Sequence, residues 1–165
     1  MLLASPVTLI DFEVIDAEAA GRLREILADR ALRIALHGED ARVTEDAAVA
    51  RWCGGTSRQA QRRAARCRCT GRIVGGIGID DGSLSYFVER AHWGLGYGRA
   101  IVDQYLRALP RADRPLTARV ARGNLASRRI LERAGFREAA LERRGDRLPS
   151  AVVYVQMLDF IQGDT

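Results

Sequence analysis

Between residues 93 and 99 the chain reads Trp93-Gly94-Leu95-Gly96-Tyr97-Gly98-Arg99, the segment best suited to chemistry. Glycine at every second place lets the backbone approach an anion closely, and a helix starting just after it adds outward-pointing N–H groups. Arg99 ends the run as a forked cation. A strand, a glycine loop and a helix N-terminus in that order can cradle a pyrophosphate without lysine. The plain alternative is a glycine-rich turn with no ligand. The dinucleotide fingerprint G-x-G-x-x-G is not met: its last glycine falls on Arg99 counted from Gly94, and on Ile101 counted from Gly96.

A second segment follows, Gly123-Asn124-Leu125-Ala126-Ser127, then Ile130-Leu131 and Gly135-Phe136. Asn124 can cap a helix, and Ser127 then sits in its first turn, facing whatever lies at the helix start. Ala126, Ile130 and Ala134 read as the buried stripe, with Arg128, Arg129 and Arg133 on the wet side. Taken alone, this is a capped amphipathic helix.

Together the two segments resemble the GNAT superfamily of N-acetyltransferases. The glycine loop is similar to that family's R/Q-x-x-G-x-G/A motif, and Asn124 through Phe136 to its N-x-x-S…GF signature. Trp93, Ser127 and Leu131 are similar to the RimJ/RimL-like branch, which includes ribosomal-protein alanine acetyltransferases. The resemblance implies acetyl-CoA as donor and a primary amine as acceptor, either a protein N-terminus or a small molecule. It implies Gly94, Leu95, Gly96, Tyr97, Gly98 and Arg99 on the pyrophosphate, with Phe87 and Val88 lending backbone to the pantetheine. It further implies that strand 84–88 splays from strand 116–121, that the Val88 N–H polarises the thioester carbonyl, and that Asn124 and Ser127 lie near the pantetheine and sulfur.

Two departures matter. Many members carry a tyrosine, the general acid for the departing thiolate, where this chain has Leu131. Leucine donates no proton, so Ser127 is the substitute candidate, as donor or as holder of a water. The acidic residue common at the start of the fourth strand is here Ser83. The general base is open among Asp80, Asp81, Glu142, Asp146 and a water chain. Ser127 and Asp146 are the catalytic candidates. Direct attack is expected, since Cys53, Cys67 and Cys69 all lie outside the two motifs. The reading from another class is a non-catalytic acyl-CoA-sensing or RNA/ribosome-associated module.

The elements that must hold these residues follow from periodicity. Residues 7–14 alternate and read as a strand; helices are expected from Asp16, over 31–35 and over 47–52. Strands at 64–69, 72–80 and 84–88 follow, the last two joined by Asp81-Gly82, a hairpin turn. A helix over 98–109, a strand at 116–121, a helix over 124–134, and strands at 136–142 and 151–158 complete the chain. The expected fold is α/β (α+β), a GNAT-like mixed, mostly antiparallel sheet of about seven strands flanked by helices. At 165 residues the chain is one domain, 1–165.

Composition narrows the rest. All 26 cations are arginine, so a Walker A lysine, a PLP Schiff base and a kinase strand lysine are excluded. A GC-rich coding bias explains the missing lysine more simply than function does. Net charge is +5, which favours anionic partners. Arg58, Arg62, Arg63, Arg66, Arg68 and Arg72 form a basic cluster without interleaved aromatics, read as a solvated face rather than a nucleic-acid surface. Three cysteines make no disulfide framework, and Cys67 and Cys69, expected on one strand face, are a weak metal signal. No metal is expected. With no signal peptide read in residues 1–10 and no 18-residue apolar run, a cytoplasmic protein away from membranes is expected. A homodimer is compatible with such a domain.

Overall fold

Each switch in apolar period along the chain becomes an element boundary. The computed structural model describes residues 8–38, 43–54, 61–139 and 151–157. Within them β1 (Ile10–Glu13) leads to α1 (Ala17–Leu27), α2 (Arg30–His37) and α3 (Glu45–Cys53). Then come β2 (Gln61–Cys67), β3 (Ile73–Asp80), β4 (Ser83–Val88), α4 (Tyr97–Ala108), β5 (Thr117–Ala121), α5 (Leu125–Arg133), β6 (Phe136–Glu138) and β7 (Ala151–Gln156). Each of the first three helices begins on a capping side chain: Asp16 accepts from the Ala19 N–H, Asp29 from Ala31 and Leu32, and Thr44 from Ala47.

The seven strands form one sheet in the order β1-β2-β3-β4-β5-β7-β6. Every neighbouring pair is antiparallel except β4 with β5. Helices cover both faces. On one face α4 and α5 pack Ile101, Val102 and Leu131 against Ile77, Leu84, Val88 and Tyr154. On the other, Leu23 and Leu27 of α1, Leu32 of α2 and Trp52 of α3 cover Ala64, Ile73 and Phe87. Both faces of β3 are therefore buried, which accounts for its nearly continuous apolar run. The mixed sheet between helical layers is the expected architecture.

Several boundaries differ from the sequence expectation. The first strand is shorter, and Val7 lies outside the described residues. β2 ends at Cys67, where a turn closes through Gly71 N–H donating to the Cys67 carbonyl (2.8 Å), with Gly71 at φ +68°. Cys69 therefore sits in the turn and shares no strand face with Cys67. β6 stops at Glu138, and Leu158 is outside the described residues. In α5 the buried side chain is Leu131; Ile130 and Ala134 are half-buried and Ala126 is exposed. Alanine fits either environment, so the larger leucine sets the inward face.

Three of the five described arginines of the basic cluster are in ion pairs: Arg62 meets Asp80 (2.8 Å) and Arg66 meets Glu13 (2.7 Å) across neighbouring strands, and Arg68, in the turn after β2, meets Asp11 (2.7 Å). Arg58 is outside the described residues. No helix of the described residues is long and apolar enough to cross a membrane.

Candidate active site

The parallel pair at the centre of the sheet is barely formed. β4 and β5 pair only at Ser83 with Thr117 and at Leu84 with Ala118, then part. Glu89 N–H donates to the Val74 carbonyl, so by the alternation of an antiparallel ladder Tyr86 and Val88 turn their N–H groups the other way, toward β5. There they meet no strand. This is the splay that the family resemblance implies, and it leaves the Val88 N–H facing the gap. The Val88 carbonyl accepts from the Trp93 indole Nε1 (2.9 Å), which ties the end of β4 to the loop that follows.

The parted strands open a cleft of about 360 Å³. Leu84 and Tyr86 of β4 and Val120 of β5 line it, together with the end of α2 and the start of α5. Tyr86 Oη lies 2.7 Å from Ser127 Oγ. Burial pushes the Tyr86 phenol up to about 12, although its hydrogen bond with Ser127 pulls the other way. The phenol therefore keeps its proton across the neutral range. Leu131, in the place of the familiar tyrosine, is fully buried. Tyr86 brings a phenol to the same cleft from a different element.

Asn124 holds the two helical walls together. Its Oδ1 accepts from the Ser127 N–H (3.1 Å), and its Nδ2 donates to the Ala35 carbonyl of α2 (3.0 Å). One Nδ2 hydrogen remains for a ligand. His37, at the end of α2, also lines the cleft; burial and then the nearby Arg51 charge hold its imidazole below the usual value.

The glycine loop reaches this cleft at one point. A Cβ built on Gly98 would lie 3.0 Å from Ile130 Cδ1, 3.6 Å from Val88 Cγ2 and 3.7 Å from Tyr86 Cε2. Gly98 thus lets α4 close on α5 and β4. Gly94 and Gly96 serve differently: φ is +75° and +86°, and neither has a neighbour within 4 Å of a built Cβ. Their backbone faces open space at the start of α4, with Leu95 exposed beside it. Arg99 is exposed, its Nε 3.4 Å from Asp103 Oδ2. The Phe87 side chain points to the opposite face and packs edge-on against Trp52 (4.6 Å), and by the same ladder alternation its backbone N–H faces β3, so the structure does not bring Phe87 to the gap.

The structure therefore brings together Tyr86, Val88, Gly98, Asn124 and Ser127. Of the candidate bases, Asp80 is paired with Arg62, and Asp81 sits at the hairpin turn with φ +48°. Neither lines the cleft. Glu142 and Asp146 lie outside the described residues. No group of three or more His, Cys, Asp or Glu among the described residues could hold a metal ion. Tyr86 and His37 were missed from sequence. Strand period in Leu84-Ser85-Tyr86-Phe87-Val88 carries the signal for Tyr86, since it shares a face with Leu84 and Val88 beneath the motif helices.

Known proteins share this fold. The profile of the acetyltransferase (GNAT) domain matches residues 8–137. No curated protein matches the chain in sequence. Among solved structures, an acetyltransferase from Agrobacterium tumefaciens superposes with a TM-score of 0.65 at 21% identity, over 96% of this chain and 98% of that one. An acetyltransferase from Thermus thermophilus gives 0.69 at 20%, covering 92% and 99%. The spermidine N-acetyltransferase from Vibrio cholerae, in complex with CoA and spermine, gives 0.67 at 12%, covering 88% and 92%. At these identities the likeness is one of fold. With the family profile spanning β1 to β6 and both motifs on its site, the chain belongs to the GNAT acetyltransferase domain family.

Proposed function

We propose that this chain is an acetyl-CoA-dependent N-acetyltransferase that acts on a primary amine by direct attack, in the RimJ/RimL-like branch. The observation that carries this reading is the Tyr86–Ser127 hydroxyl pair in the cleft where β4 and β5 part. The donor site fits the chain: open backbone at Gly94 and Gly96, the α4 N-terminus and the forked cation of Arg99 suit a pyrophosphate. The Tyr86 and Val88 N–H groups turn into the gap without a strand partner, whereas the Phe87 backbone faces β3, and the free Asn124 hydrogen suits a pantetheine amide. When bound, acetyl-CoA supplies the acetyl group as a thioester.

The rest belongs to the chain. The Val88 N–H, turned into the gap, can stabilise negative charge growing on a carbonyl oxygen. Ser127 can donate to Tyr86 Oη, freeing the phenol hydrogen to be given to a thiolate. An incoming ammonium must lose a proton before attack. His37, held largely neutral, is a cleft group able to take or relay it.

The cleft walls also bear on the acceptor. Its described lining includes His37, Arg51 and Arg119 and no carboxylate. This wall suits an amine whose neighbouring groups are neutral or anionic, and opposes a polyamine. The vibrio neighbour, solved with spermine, thus gives the fold but not the acceptor.

The test has two stages. Acetyl-CoA at a hundredfold over its dissociation constant should add roughly 2.7 kcal/mol of stability, while NAD and ATP add none. Free-thiol release across a panel of N-terminal peptides, amino acids, amino sugars and spermidine should then identify the acceptor, with spermidine among the poorest. No thermal shift at millimolar acetyl-CoA would end the acetyltransferase reading.

A further inference from the structure

Away from the cleft, the turn after β2 brings two sulfurs together. Cys67, the last residue of β2, is fully buried, while Cys69 is exposed in the turn. Their Sγ atoms are 3.1 Å apart, and the Cys67 Sγ lies 3.7 Å from Tyr97 Oη. The turn holds them there: Cys67 N–H donates to the Arg72 carbonyl and Gly71 N–H to the Cys67 carbonyl, both 2.8 Å. Arg68, between the two cysteines, is drawn aside to Asp11 and leaves the sulfurs facing each other. Burial opposes ionisation of Cys67, but hydrogen bonds from Cys69, Thr70 and Tyr97 hold its thiol down at about 7.

We propose that Cys67 and Cys69 form a thiol–disulfide exchange site, which a low-molecular-weight disulfide converts to an intramolecular Cys67–Cys69 bond. Exposure selects Cys69 as the attacking sulfur although its hydrogen bond with Cys67 raises its thiol above the usual value; once deprotonated it attacks the small disulfide, forming a mixed disulfide and releasing one thiol. The Cys67 thiolate then attacks the Cys69 sulfur, its S–S bond to the small molecule breaks, and the second thiol leaves. Two protein thiols are oxidised, one small disulfide is reduced, and the two protons go to the departing thiolates. The sulfurs need to close by about 1 Å to reach bonding distance. The new bond removes the thiol that Tyr97 touches, at the first residue of α4 and inside the glycine loop.

The site is tested with oxidised glutathione on the full chain, read by intact mass and by mapping of alkylated peptides. Wild type should lose two hydrogens without retaining an adduct, leaving Cys53 the alkylatable thiol. Cys67→Ser should stop at a single glutathionyl adduct on Cys69. Cys69→Ser should react at least tenfold more slowly. A stable adduct on wild type, a bond to Cys53, or equal rates for wild type and Cys69→Ser would overturn the proposal. Folding of each variant is checked by its reduced melting curve. If either serine variant unfolds, the alanine variant at the same position gives the same readout. The result is independent of acetyl transfer.

Discussion

Two hydroxyls, Tyr86 and Ser127, stand 2.7 Å apart in the cleft, beside the buried Leu131. If Tyr86 is the proton donor, Tyr86→Phe should lower kcat at the low end of the roughly 10²–10⁴-fold range for acid catalysis, because a thiolate leaves readily. Acetyl-CoA affinity should change little. Ser127→Ala should cost less, since the phenol keeps its own proton; equal losses would assign the transfer to the pair as a unit, and wild-type kcat in Tyr86→Phe would end the donor role. Steady-state kcat and KM for both substrates decide this. His37 offers a second check, through stability. Burial holds its folded-state pKa below the ordinary 6.5, so the unfolded chain binds more protons as pH falls past that value. Its contribution is intact above 6.5 and is lost on acidification through the window below it. His37→Gln should flatten that part of the stability–pH profile, measured by urea melts from pH 7.5 to 5.5; an unchanged slope would place the titration elsewhere.

At the scale of elements, the glycine loop was legible because its geometry lies in local backbone. Alternate glycines, a strand before and a helix after are all visible in a single window. The cap at Asn124 was legible for the same reason. Tyr86 was not, because a strand tyrosine meets a serine from a helix about forty residues downstream only where its neighbour strand departs. Leu131 showed that the usual tyrosine was missing, and Ser127, the substitute candidate read from sequence, is one of the two hydroxyls that meet in the cleft. The Cys67–Cys69 geometry was hidden by a strand read two residues too long. Gly96 tests the loop itself. With φ at +86°, Gly96→Val is strained by about 1–3 kcal/mol and puts a side chain where the backbone faces open space. Both the melting temperature and acetyl-CoA affinity should fall, the affinity by tenfold or more in calorimetric titration. A variant that melts lower yet binds normally would make the loop an ordinary turn.

For the whole molecule, the sheet consists of a four-strand and a three-strand part joined along β4 and β5 by just two residue pairs, Ser83 with Thr117 and Leu84 with Ala118. Helices clasp the joint from both faces: α4 and α5 meet on one, and α2 packs on β5 on the other, with Asn124 linking α2 to α5. A sheet normally protects its central strands best and its borders least. Here the order is inverted locally. Tyr86 and Val88 lie in the middle strand, yet their amides face a gap and have no strand acceptor there. Hydrogen–deuterium exchange should find these two amides exchanging far faster than those of Phe87 or Ile77 in the same layer. Protection equal to that of Phe87 would mean the strands close in solution. The middle of this protein is thus finished like an edge, and a ligand that entered the gap would complete it by supplying the missing acceptors.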